Sequence, residues 1–431
     1  MFRYPIPALI VALALVGCGE PADPTDPVNP IDTEFAKSEK QRITTPAVSP
    51  TDLAQLTRDN AAFAVELFQK LRTRGGNVFY SPHSISIALA MTYGGARTTT
   101  EAEMAKGLHY TLGQSALHPA FNALDLALAS RGQGAAGKDG GKFRLNIANA
   151  LWGQRDYSFL PSFLDLLALN YGAGMHLMNF KDQPEPSRLT INDWVAQKTE
   201  DKIKDLIPPG EIDSETRLVL TNAVYFNAAW MHAFEKSATE RGEFTRLDGS
   251  KLTAELMNKT GRYGYASAGG WEAVELPYDG GELSMVVMLP QAGLEQAEAA
   301  LTPEALQKLI GGLDTEEVSL TLPKFKMESM FKLKETLGQL GMTEACSPAA
   351  DFSGIDGRKY LMIGQVIHKA FIAIDEAGTE AAAATAVIMP PGAMPTQPRV
   401  VRVDRPFLFV IRDIQTGAIL FVGRVVEPKL S

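Results

Sequence analysis

Apolar residues spaced three and four positions apart predict helices in two parts of the chain. The first predicted helix lies before residue 72 and has an apolar face made of Phe63, Leu67, Phe68 and Leu71. Either Asp52 or Asp59 would serve as its N-cap, because a short carboxylate can accept hydrogen bonds from the free N–H groups of a first turn. The second predicted helix lies in 329–342, where helical spacing links Phe331, Leu333, Leu337 and Leu340.

Other apolar runs have the length and spacing of strands. Residues 283–290 form a continuous apolar run typical of a buried strand. The alternation of Val318, Leu320 and Leu322 predicts a half-buried strand that ends at Pro323. Two apolar runs around Gln415-Thr416-Gly417 predict a hairpin across 407–425. Helices and strands are mixed without regular alternation, which indicates an α+β fold with largely antiparallel sheets.

Residues 1–50 differ in character from the rest of the chain. An apolar run from Ile6 to Val16 follows Arg3 and ends in Leu15-Val16-Gly17-Cys18, which resembles the lipobox of bacterial lipoproteins. We therefore predict a lipoprotein signal peptide at 1–17, a lipid attached to Cys18 and a flexible, proline-rich linker over 18–50. A plain secretory signal with an incidental cysteine is the alternative. Residues 51–431 contain no further linker and are predicted to form one domain.

A lipid at Cys18 would anchor the domain to the cell envelope without a spanning helix. Gly19 stands where an aspartate would favour retention in the inner membrane, so the outer membrane is favoured. The domain is then expected in the periplasm or the extracellular space, with no membrane contact besides the N-terminal lipid.

Composition argues against several classes of function. The chain of 431 residues carries a net charge of −9 and has no long basic run, so no nucleic-acid partner is expected. Its two cysteines, Cys18 and Cys346, are too few for a disulfide framework or a zinc site. We expect neither a cofactor nor a metal.

Motifs of conventional catalysis are missing from the sequence. None of the six histidines belongs to an H-E-x-x-H motif, and there is no G-x-S-x-G elbow and no P-loop. Residues 132–137 match G-x-G-x-x-G, but without a strand before them and a helix after them they are predicted to be a flexible loop. Ser81 and Ser84 flank His83 but open an apolar run, where a serine is more often an N-cap than a nucleophile. An enzyme is therefore not expected, and a hydrolase built on these residues is a weak alternative.

Residues 376–398 suit neither a solvated loop nor a core element. From Gly378 to Pro398 the only charge is Glu380, four alanines follow it, and prolines stand at 390, 391, 395 and 398. Small side chains can enter a crowded sheet at little steric cost, whereas a buried charge would be left unpaired. We predict that a segment from Thr379 to Ile388 is exposed in one state and forms a central strand in another. The prolines would stay outside the sheet, in a part of the segment that remains exposed.

This segment resembles the hinge of inhibitory serpins over residues 375–385, from Asp375-Glu376-Ala377-Gly378 to the four alanines and Thr385. Further motifs similar to those of the family occur in the family's order across 51–428: residues 77–85, 94–104, 221–230, 320–325, 351–354, 368–370 and 404–409. Each motif alone is weak, and their common order makes the resemblance specific.

The resemblance implies a serpin-like fold of three β-sheets and about nine helices with an exposed reactive-centre loop. It also implies a suicide-substrate inhibitor of serine proteases and, in some members, of cysteine proteases. The protease would cleave the loop and form an acyl-enzyme, and the loop would then insert into the main β-sheet. A monomer is expected.

Residue roles follow from the same resemblance. The hinge comprises Glu376, Gly378, Thr379, Glu380, Ala381, Ala382, Ala383 and Ala384. The shutter, a cluster beneath the strands that must part, comprises Ser81, Ser84, Asn222 and His368. Trp230 marks the breach, the point where the inserting strand enters.

Counting from the hinge glutamate as the family does places the reactive bond at Gly392–Ala393, with Ala393–Met394 as the near rival. A small uncharged residue before the cut favours an elastase- or subtilisin-like protease over a trypsin-like one. The competing possibility is a carrier protein on the same scaffold. Carriers in the family tend to have bulky, charged or proline-containing hinges, which this chain lacks.

Overall fold

The computed structural model describes residues 34–379 and 397–430, in which helices and strands are interleaved. The α-helices of these residues are α1 (Pro50–Leu71), α2 (Pro82–Tyr93), α3 (Thr98–Gly107), α4 (Gln114–Ala129), α5 (Pro161–Tyr171), α6 (Pro184–Lys198), α7 (Leu294–Ala299), α8 (Pro303–Gly311), α9 (Lys334–Gln339) and α10 (Ser353–Asp356). The strands are β1 (Glu34–Ala36), β2 (Val78–Tyr80), β3 (Arg144–Gln154), β4 (Met175–Met178), β5 (Leu218–Ala229), β6 (Glu240–Thr245), β7 (Lys251–Ala268), β8 (Trp271–Pro277), β9 (Leu283–Pro290), β10 (Asp314–Pro323), β11 (Phe325–Lys332), β12 (Gln365–Ile374), β13 (Gly378–Thr379), β14 (Arg399–Arg402), β15 (Phe407–Asp413) and β16 (Ile419–Val425).

The strands form two hydrogen-bonded sheets and confirm the α+β class. The seven-stranded sheet has the order β1-β4-β3-β5-β12-β11, with β13 paired to β5. The nine-stranded sheet has the order β14-β10-β7-β8-β9-β15-β16-β2, with β6 paired to β7. The resemblance implied three sheets. Two of them are joined here because the long strand β7 pairs with β6 at its start and with β8 at its end.

The strands predicted from the apolar pattern are confirmed. The run at 283–290 is β9, the strand ending at Pro323 is β10, and the predicted hairpin is formed by β15 and β16. The helix predicted over 329–342 is wrong at its start, because β11 continues to Lys332 and only α9 is helical. Burial alternates along β11, with Phe325, Met327 and Phe331 facing inward, so a period of two overrides the helical spacing.

The predicted first helix is confirmed as α1, but its N-cap is neither aspartate. Ser49 caps the helix, since its Oγ accepts a hydrogen bond from the N–H of Asp52 over 3.0 Å. Pro50 then occupies the first turn, where a missing N–H has no cost. Asp59 is buried instead and accepts hydrogen bonds from Thr111.

The linker predicted over 18–50 is wrong for its described part. Strand β1 pairs antiparallel with β4 at the sheet edge, and Arg42 donates to Asn122 and pairs with Asp125. Residues from Glu34 onward therefore belong to the folded domain. The predicted signal peptide and the linker up to residue 33 lie outside the described residues and remain predictions.

Helix α2 lies in the core beside β3, β5 and β16, and every one of its residues is buried. On the other face of the seven-stranded sheet, α6 packs Ile191 and Val195 against Trp152 and Ala223. The central strands β5 and β12 are thus covered on both faces. No helix in the described ranges is long and apolar enough to cross a membrane.

Candidate functional site

The chain reverses direction at the end of β12, through Asp375–Gly378. The N–H of Asp375 donates to the carbonyl oxygen of Gly378 over 3.0 Å, which closes the turn. Strand β13 then runs antiparallel to β5, with Gly378 opposite Ala229 and Thr379 opposite Ala228. The first hinge residues therefore already lie as a short strand bordered by β5 on one side and by Asp375 on the other.

Gly378 is required by the geometry of this turn. Its φ is +142°, a conformation that L side chains rarely adopt. An added Cβ would also lie 2.4 Å from the carbonyl oxygen of Ala228 and 2.7 Å from the Trp230 nitrogen. A larger residue would push β13 away from β5.

Thr379 is the last described hinge residue and is 1% exposed. Its Oγ1 lies 3.1 Å from the hydroxyl of Tyr278, which stacks on Trp230 with ring centroids 4.7 Å apart. The side chain predicted to enter the sheet first is therefore already buried in the core.

Trp230 holds the hinge turn at two points. Its indole Nε1 donates to the carbonyl oxygen of Asp375 over 3.0 Å. Its backbone N–H donates to the carbonyl oxygen of Ala377 over 2.9 Å. The residue assigned to the breach thus contacts the hinge directly. Both bonds go to the backbone, so they fix the path of the turn whatever its side chains are.

Glu376 is buried and anchors the turn through its carboxylate. Oε1 accepts from Thr239 Oγ1 over 2.8 Å and lies 3.3 Å from Lys324 Nζ, which also pairs with Glu255. Burial opposes ionisation, but the Thr239 hydrogen bond and the Lys324 charge together hold the pKa of Glu376 below its ordinary value. Lys324 has no role in the sequence-based prediction, although it lies in the recognised motif at 320–325.

The four residues assigned to the shutter are brought together between α2 and the central strands. The N–H of Ser81 donates to His368 Nε2 over 3.0 Å, so the neutral ring carries its proton on Nδ1 and donates to Asn222 Oδ1. Asn222 Nδ2 donates to Ser84 Oγ over 2.5 Å. His368 and Asn222 are also directly opposite each other in the parallel β5–β12 ladder.

Asn149 of β3 is a fifth member that the sequence did not indicate. Its Oδ1 accepts from Asn222 Nδ2 over 2.6 Å and from Ser84 Oγ over 3.0 Å. The network therefore links α2 to β3, β5 and β12, and parting β5 from β12 must break the His368–Asn222 bond. No motif contained Asn149, so only the fold could identify it.

Acidification is expected to weaken this region. Burial lowers the pKa of His368 from 6.5 to about 3, so the folded protein keeps the ring neutral while the unfolded chain protonates it below pH 6.5. Stability from His368 is present above pH 6.5 and is lost as the pH falls toward 3, by about 1.4 kcal/mol per pH unit. His83 and His118, held at a pKa of about 4 by burial, add to the same trend.

Urea unfolding of the wild type and of His368→Gln between pH 7 and pH 4 would measure this effect. The variant should be less stable at pH 7 but show a shallower pH dependence, because one proton-binding difference is removed. Equal slopes for the two proteins would contradict the assignment.

Several predicted site residues lie outside the described residues. They are the hinge residues Glu380 and Ala381–Ala384, the reactive-bond residues Gly392, Ala393 and Met394, and the lipidation site Cys18. Their roles remain predictions.

The residues considered for catalysis have other roles. Ser81 is the N-cap of α2, as predicted, because its Oγ accepts from the N–H of Ser84 over 3.2 Å. The ring nitrogens of His83 have no hydrogen-bond partner within the described residues, so no hydroxyl is activated there. Burial raises the pKa of the Cys346 thiol, which disfavours the reactive thiolate.

Within residues 34–379 and 397–430, no group of three His, Cys, Asp or Glu side chains could hold a metal ion.

Comparison with known proteins agrees with this geometry. The family model described as "Serpin (serine protease inhibitor)" matches residues 58–428. The leukocyte elastase inhibitor of Homo sapiens is 38% identical over 389 residues, which cover 87% of this chain and 100% of that protein. A serpin-like protein of Thermococcus kodakarensis is 38% identical over 371 residues, covering 85% of this chain and 84% of that protein.

Among solved structures, the thermophilic serpin tengpin in its native state matches with a TM-score of 0.79 and 30% identity, covering 91% of this chain and 97% of tengpin. The similarity thus extends over both sheets and the hinge rather than over a single motif. The chain belongs to the serpin family.

Proposed function

We propose that the protein is a suicide-substrate inhibitor of serine proteases that acts by loop cleavage and insertion into the seven-stranded sheet. Strand β13 is the observation that carries the proposal. The first residues of the loop are already paired with β5 in the antiparallel direction that insertion requires. Cleavage further along the loop would free this strand to grow.

The register of β13 matches the composition of the loop. If the pairing continued residue by residue, Glu380 would face Asn227 and Met389 would face Leu218, the first residue of β5. Pro390 and Pro391, which cannot donate to a ladder, would fall just beyond the end of the strand. The proline-containing part of the loop would thus begin where the pairing with β5 ends.

Alternation along the same strand explains the position of the single charge. Thr379 faces the core, so Ala381, Ala383, Thr385 and Val387 would face it too. Glu380 would lie on the opposite face. Every side chain directed into the core would therefore be small or apolar and uncharged, which avoids the cost of burying an unpaired charge.

Insertion would also add a ladder to the sheet. It would break the parallel β5–β12 pairing and replace it by two antiparallel pairings, one on each side of the new strand. The net gain is on the order of ten hydrogen bonds at ~0.5–1.5 kcal/mol each, or ~10 kcal/mol in total. The uncleaved form would then be kinetically trapped.

The target class follows from the predicted reactive bond. Gly392–Ala393, or its rival Ala393–Met394, offers a small uncharged residue to the protease, which suits elastase- or subtilisin-like enzymes. The name of the human relative, leukocyte elastase inhibitor, supports this choice. Such a target recognises the loop itself, so the inhibitor would be expected to act as a monomer.

We also propose that a lipid on Cys18 anchors the protein in the cell envelope, with the outer membrane favoured. Because one modified cysteine would provide the anchor, Cys18→Ala should move the protein from the membrane fraction to the soluble fraction. Cell fractionation with immunoblotting measures this. An unchanged distribution would contradict lipid anchoring at Cys18.

The inhibitory mechanism can be tested by mixing the purified protein with pancreatic elastase and with subtilisin. A covalent complex that survives SDS electrophoresis is expected, and sequencing the released C-terminal peptide would identify the bond that was cut. Cleavage without a complex, together with unchanged thermal stability of the cleaved chain, would reject inhibition and favour a carrier on the same scaffold.

A further inference from the structure

The loop between α4 and β3, residues 131–143, lies against the sheet end where β13 begins. It contains the glycine-rich run predicted to be a flexible loop. Three hydrogen bonds anchor its first half to the region of β9 and β15: Arg131 Nε to Asp413 Oδ1 (2.6 Å), the N–H of Gly132 to Glu282 Oε2 (2.7 Å) and the N–H of Ala136 to Asp279 Oδ2 (2.8 Å). The loop is therefore fixed to the body of the protein at successive points.

Lys138, at the far side of this loop, contacts β5, β12 and the hinge turn. Its backbone N–H donates to Asn227 Oδ1 on β5 over 2.7 Å. Its Nζ lies 2.9 Å from Asp375 Oδ2 in the hinge turn and 3.3 Å from the carbonyl oxygen of Ala373 in β12. The Lys138 side chain is 4% exposed and that of Asp375 is 28% exposed, so water reaches the ion pair from the Asp375 side only.

The backbone of the loop is shaped for this contact. The carbonyl oxygen of Ala136 accepts from the N–H of Ala229 at the end of β5 over 3.1 Å. At Gly137 an added Cβ would lie 2.4 Å from the Lys142 carbonyl oxygen and 2.9 Å from Asn227 Oδ1. Only glycine permits this close approach of the loop to β5.

Resting on the loop insertion proposed above, we propose that Lys138 is a positioning residue that latches the end of the sheet until the loop is cleaved. It ties β5, through Asn227, to β12 and the hinge turn, through Ala373 and Asp375. Separating β5 from β12 breaks this tie, so the latch slows opening of the sheet in the uncleaved protein and sets the rate at which β13 can lengthen.

Amide hydrogen exchange of the uncleaved protein tests the latch without any protease. In Lys138→Met, amides in peptides 219–229 and 365–374 should exchange about tenfold faster, the size of effect that loss of one local coupling produces. Exchange in β9 should not change, because it lies in the other sheet. The matched control is Lys142→Met, which removes the same charge from an exposed position in the same loop.

Asp375→Asn is the second variant. Asn keeps the Oδ1 acceptor for the N–H of Ala377 but loses the ion pair with Lys138, so it should reproduce the faster exchange. Combined with Lys138→Met it should add little, because Lys138→Met already removes the ion pair with Asp375. Exchange equal to that of Lys142→Met, or faster exchange throughout the protein including β9, would overturn the latch.

The latch and the inhibitory mechanism fail in different ways. Locally faster exchange in both variants, with cleavage of the wild type that yields neither a covalent complex nor a gain in thermal stability, would support the latch and reject suicide inhibition. A stable complex with unchanged local exchange in both variants would do the reverse.

Discussion

Replacing Thr379 with arginine is expected to turn the inhibitor into a substrate that the protease cleaves and releases. Thr379 is 1% exposed beside the Tyr278 hydroxyl, in the first position that the growing strand must keep buried. An arginine there would bring an unpaired charge into the core, at an effective cost of several kcal/mol. Insertion would slow, and the acyl-enzyme would hydrolyse first.

The measurement is the number of inhibitor molecules consumed per protease molecule inactivated. Because each 1.4 kcal/mol changes a rate about tenfold, Thr379→Arg should raise this stoichiometry at least tenfold. Thr379→Val is the matched control, since it keeps the size and loses only the contact with Tyr278. Unchanged stoichiometry in the arginine variant would reject insertion as the inhibitory step.

Much of the fold follows from local pattern. The apolar periodicity predicted α1, β9, β10 and the hairpin of β15 and β16, because each of these elements buries one consistent face or is buried throughout. The apolar pattern did not predict where some of these elements begin and end. Ser49 caps α1 through a contact that apolar spacing does not record, and β11 extends to Lys332 because pairing with β12 selects the strand period.

Some residues of the candidate site could be identified from the sequence and others could not. Motifs of the serpin family identified the four shutter residues and Glu376, Gly378, Thr379 and Trp230. Contacts between distant parts of the chain could not be found from one sequence. They are Lys324 with Glu376, Asn149 with Asn222, and Lys138 with Asp375. The loop at 131–143 shows the reason, since its glycine-rich composition suggests flexibility while its contacts hold it against the sheet.

The state of the hinge is the feature that no pattern could specify. Composition predicted that the segment from Thr379 onward can be a strand, but not how much of it is a strand before cleavage. Within the part of the chain that the structure describes, Gly378 and Thr379 already form a strand beside β5, next to Trp230, Tyr278 and the turn at Asp375. On the proposed mechanism, this strand could lengthen only if β5 and β12 separate, and their ladder is closed from Gln365 to Phe371.

Cleavage in the loop is accordingly expected to raise the midpoint of thermal unfolding sharply. The inserted strand would add a ladder worth ~10 kcal/mol. With an entropy of unfolding of about 2.1 cal/mol/K per residue, a gain of this size raises the midpoint by about 10 °C in a domain of this length. Calorimetry of the intact chain and of the chain nicked by subtilisin would measure the difference.

The nicked Thr379→Arg variant separates insertion from simple relief of strain in the loop. Both proteins lose the same peptide bond, but the variant must bury a charge to insert, so its gain in midpoint should be clearly smaller than that of the wild type. Equal gains would show that the added stability does not come from a strand beginning at Thr379. No gain in either protein would mean that the β5–β12 ladder stays closed after cleavage, and β13 would then be a fixed end of the sheet rather than the start of an insertion.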